Sequence, residues 1–133
     1  MRQVVLADTG PLYAAVDPTD HYHLQAQGEL AKLQRERLTV GVAYSTLIES
    51  YTLVLRRVGL QAAHGWLEEI QSGVVLINPT PDDYLAAASR IRAYSDQPLT
   101  MFDGVLVVLS ERLGLPVWTY DYHFDLMHAN VWR

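Results

Sequence analysis

Four short apolar runs, Val4–Ala7, Leu38–Val42, Val74–Asn78 and Val117–Tyr120, are separated along this chain by stretches that carry helix signals. Short apolar strands that alternate with helical segments argue for βα units and a mainly parallel sheet covered on both faces. No internal repeat, low-complexity run or linker interrupts the alternation. At 133 residues, half of them apolar, the chain is expected to form one α/β domain over residues 1–133 with a core of its own.

The helical segments have readable ends. Turn residues Thr9-Gly10-Pro11 precede a short helical stretch, Leu12–Val16. Pro18-Thr19-Asp20 then reads as the start of an amphipathic helix from His21 to Glu36. Ser45 is placed to cap a helix that runs to Arg57 and stops at Gly59. A second helix is predicted over Gln61–Gln71. Thr80-Pro81 opens another to about Tyr94, and Thr100 opens one that ends at Gly114. This last helix is apolar nearly all round, through Met101, Phe102, Val105, Leu106, Val108 and Leu109, which predicts burial.

The chemistry-bearing residues sit at the ends of these elements. The first run finishes on Asp8 and the last on Asp121, while Asp103 lies just inside the apolar helix and Glu49 about one turn into the helix after the second strand. Strands of a parallel sheet point their carboxyl ends one way, and sites form in the crevice outside those ends where strand order reverses. Four acids distant in sequence can therefore meet there. Clustered carboxylates repel by on the order of 4 kcal/mol per pair at ~4 Å and an effective dielectric of about 20. A divalent cation or a raised pKa is the usual relief.

Each acid also has a local explanation. Asp8 and Asp121 could each make an Asx-turn after a strand. Asp103, three residues after Thr100, fits a capping box. Glu49 falls off the apolar stripe of Leu47, Tyr51, Val54, Leu55 and Val58, as a solvent-facing residue would. Asp125 could cap a last short helix, and Asp96 before Gln97-Pro98 reads as a turn residue. Asp82 and Asp83 follow Thr80-Pro81, where the helix dipole accounts for them. His21 and His23 would point to different sides of a helix, so they do not share a zinc; His123 and His128 lie near Asp121 and could approach the site, with turn or surface roles favoured.

Composition removes other classes. The chain has no cysteine, so disulfides and thiolate-zinc sites are excluded, and a reducing, cytoplasmic setting is expected. After Arg2, the first apolar run breaks at Asp8, too soon for a signal segment or a membrane span. A formal charge of −5 argues against a grip on nucleic acid through general positive charge. Small basic groups at Lys32-Arg35-Arg37, Arg56-Arg57 and Arg90-Arg92 still allow a phosphate-contacting rim. No Gly-x-Ser-x-Gly, Gly-rich phosphate loop or dinucleotide fingerprint is present. Asp8-Thr9-Gly10 also lacks the second acid of an aspartyl-phosphate phosphatase.

Taken in order, Val-Leu-Ala-Asp8-Thr9-Gly, Ser45-x-x-x-Glu49, Thr100-x-x-Asp103 and Thr119-x-Asp121-x-His-Phe resemble the PIN domain, and within it the VapC-type toxins of toxin–antitoxin pairs. The resemblance spans essentially the whole chain. It implies an α/β/α sandwich with a parallel sheet, and a Mg²⁺- or Mn²⁺-dependent ribonuclease that acts on RNA. By motif match, the catalytic, metal-holding acids are Asp8, Glu49, Asp103 and Asp121. One ion would be held mainly by Asp8, Asp103 and Asp121, with a second reached by Glu49. Thr9, Thr100 and Thr119 match hydroxyl positions that hold carboxylates or contact metal-bound water, and Asp125 matches a peripheral acid. Phe102 departs from the pattern, since a small or hydroxyl residue more often precedes the aspartate. A homodimer and a cognate antitoxin partner are further implied. The rival expectation is a non-catalytic PIN-like module that binds RNA or protein.

Overall fold

The computed structural model describes residues 3–133, so Arg2 lies outside the described residues. Four strands, β1 (Val4–Ala7), β2 (Thr39–Ala43), β3 (Val75–Ile77) and β4 (Val117–Trp118), form one sheet in the order β3-β2-β1-β4. Every pairing is parallel, with Leu6 opposite both Gly41 and Val117. The strands are joined by α1 (Thr9–Val16) and α2 (His23–Arg35), then α3 (Tyr44–Arg57) and α4 (Leu60–Gly73), then α5 (Pro81–Arg92) and α6 (Met101–Leu113). A short α7 (His123–Leu126) follows β4.

The order of the strands decides where the helices go. From β1 to β2 to β3 the chain steps across the sheet in one direction, and right-handed crossovers put α1 to α4 on one face. The step from β3 back past β1 to β4 reverses direction, so α5 and α6 cover the other face. Side chains along the strands alternate accordingly. Val5, Ala7, Val42 and Trp118 join one core with Leu12, Leu33, Val54 and Trp66, whereas Leu6, Ala43 and Val117 join a second with Val105, Leu106, Leu109 and Phe124. The architecture is an α/β/α sandwich, as expected. Among the described residues no helix is long and apolar enough to cross a membrane.

Several element boundaries and faces differ from the sequence expectation, each for a local reason. Helix α1 begins at Thr9 rather than Leu12, because the Asp8 carboxylate accepts from the Thr9 N–H and Pro11 falls in the first turn, where no backbone donor is needed. Strand β4 stops at Trp118, because Thr119 turns its hydroxyl to Asp8. Ser45 is not the cap of α3: that helix starts at Tyr44 with Ala43 at the N-cap, and the Ser45 hydroxyl is buried without a hydrogen-bond partner. The buried face of α3 is Thr46, Ser50 and Val54, while Ile48 and Val58 are exposed. Polar residues take that face because Ser50 packs on Thr9 of α1. Met101 and Phe102 remain exposed, so burial of α6 begins only at Gly104.

Gly59 and Gly114 stop α3 and α6 at φ 124° and 67°, values disfavoured for residues with a Cβ. Asp83 has a larger part than its place in the helix dipole suggests. It is buried, completes a capping box with Thr80, and accepts two hydrogen bonds from Arg112 of α6 at 2.8 and 2.7 Å. The Arg112 guanidinium and the Thr80 N–H hold its carboxyl below the usual range, so Asp83 is committed to joining α5 and α6. The same two helices meet tightly at Gly104, where an added Cβ would lie 2.9 Å from Ile91 Cγ2 and 3.0 Å from the Ala87 carbonyl oxygen. Gly104→Ala is expected to destabilise the protein by about 1–3 kcal/mol through overpacking, read as a lower urea midpoint at unchanged slope.

Candidate active site

The order β3-β2-β1-β4 places the switch point between the carboxyl ends of β1 and β4, the position where ligands bind in open parallel sheets. A cleft of about 440 Å³ opens there. Asp8, Glu49, Asp103 and Asp121 all line it, together with Thr9, Tyr22, Arg57, Thr100, Tyr120 and His123. Residues up to 115 positions apart in sequence are thus collected on one edge of the sheet by βα connectivity.

Threonine hydroxyls hold all four acids, Asp8 and Glu49 through their carboxylates and Asp103 and Asp121 through their backbone N–H groups. The Asp8 oxygens accept from the Thr9 N–H and the Thr119 hydroxyl, each at 2.8 Å. Thr119 Oγ1 also accepts from the Asp121 N–H at 3.0 Å, so one side chain ties the two strand-end aspartates together. The Thr9 hydroxyl donates to Glu49 Oε1 and accepts from the buried Ser50 hydroxyl at 3.1 Å. This relay makes Glu49 a half-buried cleft residue and not a solvated one. Asp103 serves as a cap and faces the cleft at once. Its Oδ2 accepts from the Thr100 N–H at 3.0 Å and its own N–H donates to Thr100 Oγ1, which leaves Oδ1 outside the cap.

Burial, with mutual repulsion added, raises three of the cleft's carboxyls. Desolvation pushes the Asp8 carboxyl up to about 7, against the hydrogen bonds from Thr119 and Thr9 and with help from the charges of Asp103 and Glu49. Asp103 is raised mainly by burial, and the nearby Asp121 charge adds to the effect. Glu49 is raised for the same first reason, with Asp103 adding repulsion. Three neighbouring carboxyls raised together mark a place where added positive charge is favourable.

His123 belongs to the cluster: of the two roles the sequence allowed, an approach to the site and the favoured turn or surface position, the structure takes the first. Among the described residues, ligand atoms of Asp103, Asp121 and His123 lie within 4.8 Å of one another. Asp8 lines the same cleft outside that tight group. The His123 Nδ1 is 3.1 Å from Asp121 Oδ1, yet neither buried ring nitrogen makes a hydrogen bond. The carboxylate oxygens and the bare imidazole nitrogens form a donor set that fits a divalent ion. The motif Asp121-x-His123 was the available signal, but its spacing alone does not reveal a ring turned inward.

The remaining expected residues are placed elsewhere or at the rim. Asp125 does not line the cleft but an adjacent hollow that shares Tyr22, Tyr120 and Asp121 with it, and there Arg133 binds both of its oxygens at 2.9 Å. Of the basic groups, Arg57 lines the cleft with its guanidinium 5.4 Å from the Tyr13 ring, Arg90 is paired with Glu111, and Lys32 lies over Trp132. Tyr22, 38% exposed, stacks on Tyr120 at 4.5 Å between ring centroids. Tyr120 is fixed in turn by its hydroxyl bond to Glu29 at 2.5 Å.

No family model and no curated protein sequence matches the chain. Solved structures do match its fold. The chain is similar to VapC20 of Mycobacterium tuberculosis, a sarcin-ricin loop cleaving toxin, with a TM-score of 0.85 at 20% identity over 97% of this chain and 98% of that one. It is similar to VapBC2 of Rickettsia felis, a structure bound to a promoter DNA fragment, with a TM-score of 0.71 at 12% identity over 97% and 96%. It also matches FitAcB of Neisseria gonorrhoeae, with a TM-score of 0.68 at 16% identity over 97% and 96%. The fold is therefore the PIN-like α/β/α sandwich.

Proposed function

We propose that this chain is a divalent-metal-dependent ribonuclease of the PIN family, and the toxin of a toxin–antitoxin pair. One observation carries the reading. Four acids distant in sequence line a single cleft at the switch point of the sheet, three of them with raised carboxyl pKa values. The likeness in fold to a loop-cleaving toxin supports the same chemistry. Asp8, Asp103 and Asp121 would hold Mg²⁺ or Mn²⁺, and Glu49 would reach a second ion. When bound, the metal supplies Lewis-acid polarisation of the phosphodiester and a nucleophile at neutral pH.

The chain's own residues do the positioning. Thr119 sets Asp8 and Asp121 relative to one another, and the Ser50–Thr9 relay fixes the Glu49 carboxylate. Arg57 supplies the positive charge that orients a phosphate in an otherwise acidic cleft. The supported ring of Tyr22 offers a face on which an unpaired base can stack.

The test is cleavage of a structured RNA mixture by purified protein in Mg²⁺, in Mn²⁺ and in EDTA. Cutting that requires the metal is expected. A folded, partner-free sample that cuts under neither metal would favour a binding module instead. We further assign the chain a homodimeric state, an antitoxin partner and a cytoplasmic setting. The likeness to the VapBC2 structure supports the partner, and the formal charge of −5 suits a basic peptide segment. Exposed Tyr44 and Ile48 on α3, Leu85 on α5, and Met101 and Phe102 on α6 supply apolar surface for self-association. Light scattering at tens of micromolar is expected to return the mass of two chains; the mass of one would remove the dimer assignment.

A further inference from the structure

We propose that His123 is itself a metal ligand, which makes the centre a mixed imidazole–carboxylate site selective for a first-row transition cation such as Mn²⁺ over Mg²⁺. The inference rests on the metal-dependent reading above and deepens it, because carboxylates alone accept either ion. Three independent features support it. Both ring nitrogens of His123 are buried without a hydrogen-bond partner, an arrangement that folded proteins avoid unless something else satisfies the ring. A hydrogen bond from Nδ1 to Asp121 would still leave Nε2 bare.

The ring is also in the right place. A nitrogen of His123 and carboxylate oxygens of Asp103 and Asp121 fall within 4.8 Å of one another, close enough for one ion to touch all three. Finally, the imidazole is held there by its surroundings. The His123 backbone N–H donates to Asp121 Oδ1 at 2.9 Å, the next residue, Phe124, is fully buried in the second core, and the Tyr122 ring lies against the imidazole at 4.5 Å between ring centroids. Imidazole is a softer donor than carboxylate or water and suits transition ions, whereas Mg²⁺ prefers oxygen and keeps its waters.

The test uses the full chain, freed of metal with EDTA and then dialysed, with Mn²⁺ and Mg²⁺ as the probes. Calorimetric titration of wild type is expected to show Mn²⁺ bound at least ~10-fold more tightly than Mg²⁺. His123→Asn is expected to lose ~10–100-fold in Mn²⁺ affinity and less than ~3-fold in Mg²⁺ affinity. Pulsed electron paramagnetic resonance of the Mn²⁺-loaded wild type should show coupling to an imidazole nitrogen, a readout that needs no variant and decides the matter even where His123→Asn misfolds. Absence of that coupling, or unchanged Mn²⁺ affinity in a folded His123→Asn, overturns the role of His123 alone. Failure of wild type to bind either ion at millimolar concentration overturns it together with the metal-dependent reading.

Discussion

Asp103→Asn is expected to lower metal-dependent RNA cleavage by at least ~100-fold while leaving the fold intact, since losing one charged ligand removes several kcal/mol of charge stabilisation at the reacting phosphate. The separation of effects comes from the two oxygens of Asp103. One accepts from the Thr100 N–H in the capping box of α6, and an asparagine carbonyl oxygen can do the same. The carboxylate also groups with Asp121 and His123, and an amide cannot replace its charge there. Single-turnover cleavage and thermal melts of identically purified proteins check this. A normal melt with a rate within tenfold of wild type would reduce Asp103 to a helix cap. A matched Thr100→Val, which removes the cap hydroxyl, is expected to cost about 1 kcal/mol of stability.

The second large effect concerns Asp8 and pH. Its carboxyl is raised from 3.8 to about 7, so between those values the folded protein keeps a proton that the unfolded chain releases. Stability from this group is therefore complete below pH 3.8 and is lost as pH rises through about 7. At about 1.4 kcal/mol per pH unit the full effect is about 4 kcal/mol, and solvent reaching the partly open cleft reduces the expectation to about 2 kcal/mol. Glu49 and Asp103, also raised, act with the same sign. Metal-free Asp8→Asn should then exceed wild type in urea stability at pH 8 and match it at pH 4. Divalent ions should stabilise wild type more at pH 8 than at pH 6, because binding requires the carboxylate, and should do little for the variant. Parallel stability–pH curves for the two proteins would show that burial of Asp8 carries no such penalty.

The alternation of apolar strand and helix in the sequence determined the layered parallel fold, and strand-end positions selected Asp8 and Asp121 as acids on one sheet edge. Those are local properties, set by β-branched runs, caps such as Thr80 and Thr100, and stop signals such as Gly59 and Gly114. The order β3-β2-β1-β4 was not local, and it is what brings β4 beside β1 and Thr119 onto Asp8. Tertiary packing likewise decided which way ambiguous side chains turn. Glu49 reads as solvent-facing by periodicity but is drawn in by Thr9 and Ser50, and Asp83 reads as a dipole residue but is locked by Arg112. His123, two residues past a strand-end acid, carries no sequence mark of burial, and only the packing of Phe124 and Tyr122 turns its ring into the cluster. Patterns along the chain report which residues are apolar and where elements end, whereas the direction of a polar side chain depends on partners brought near by chain crossings.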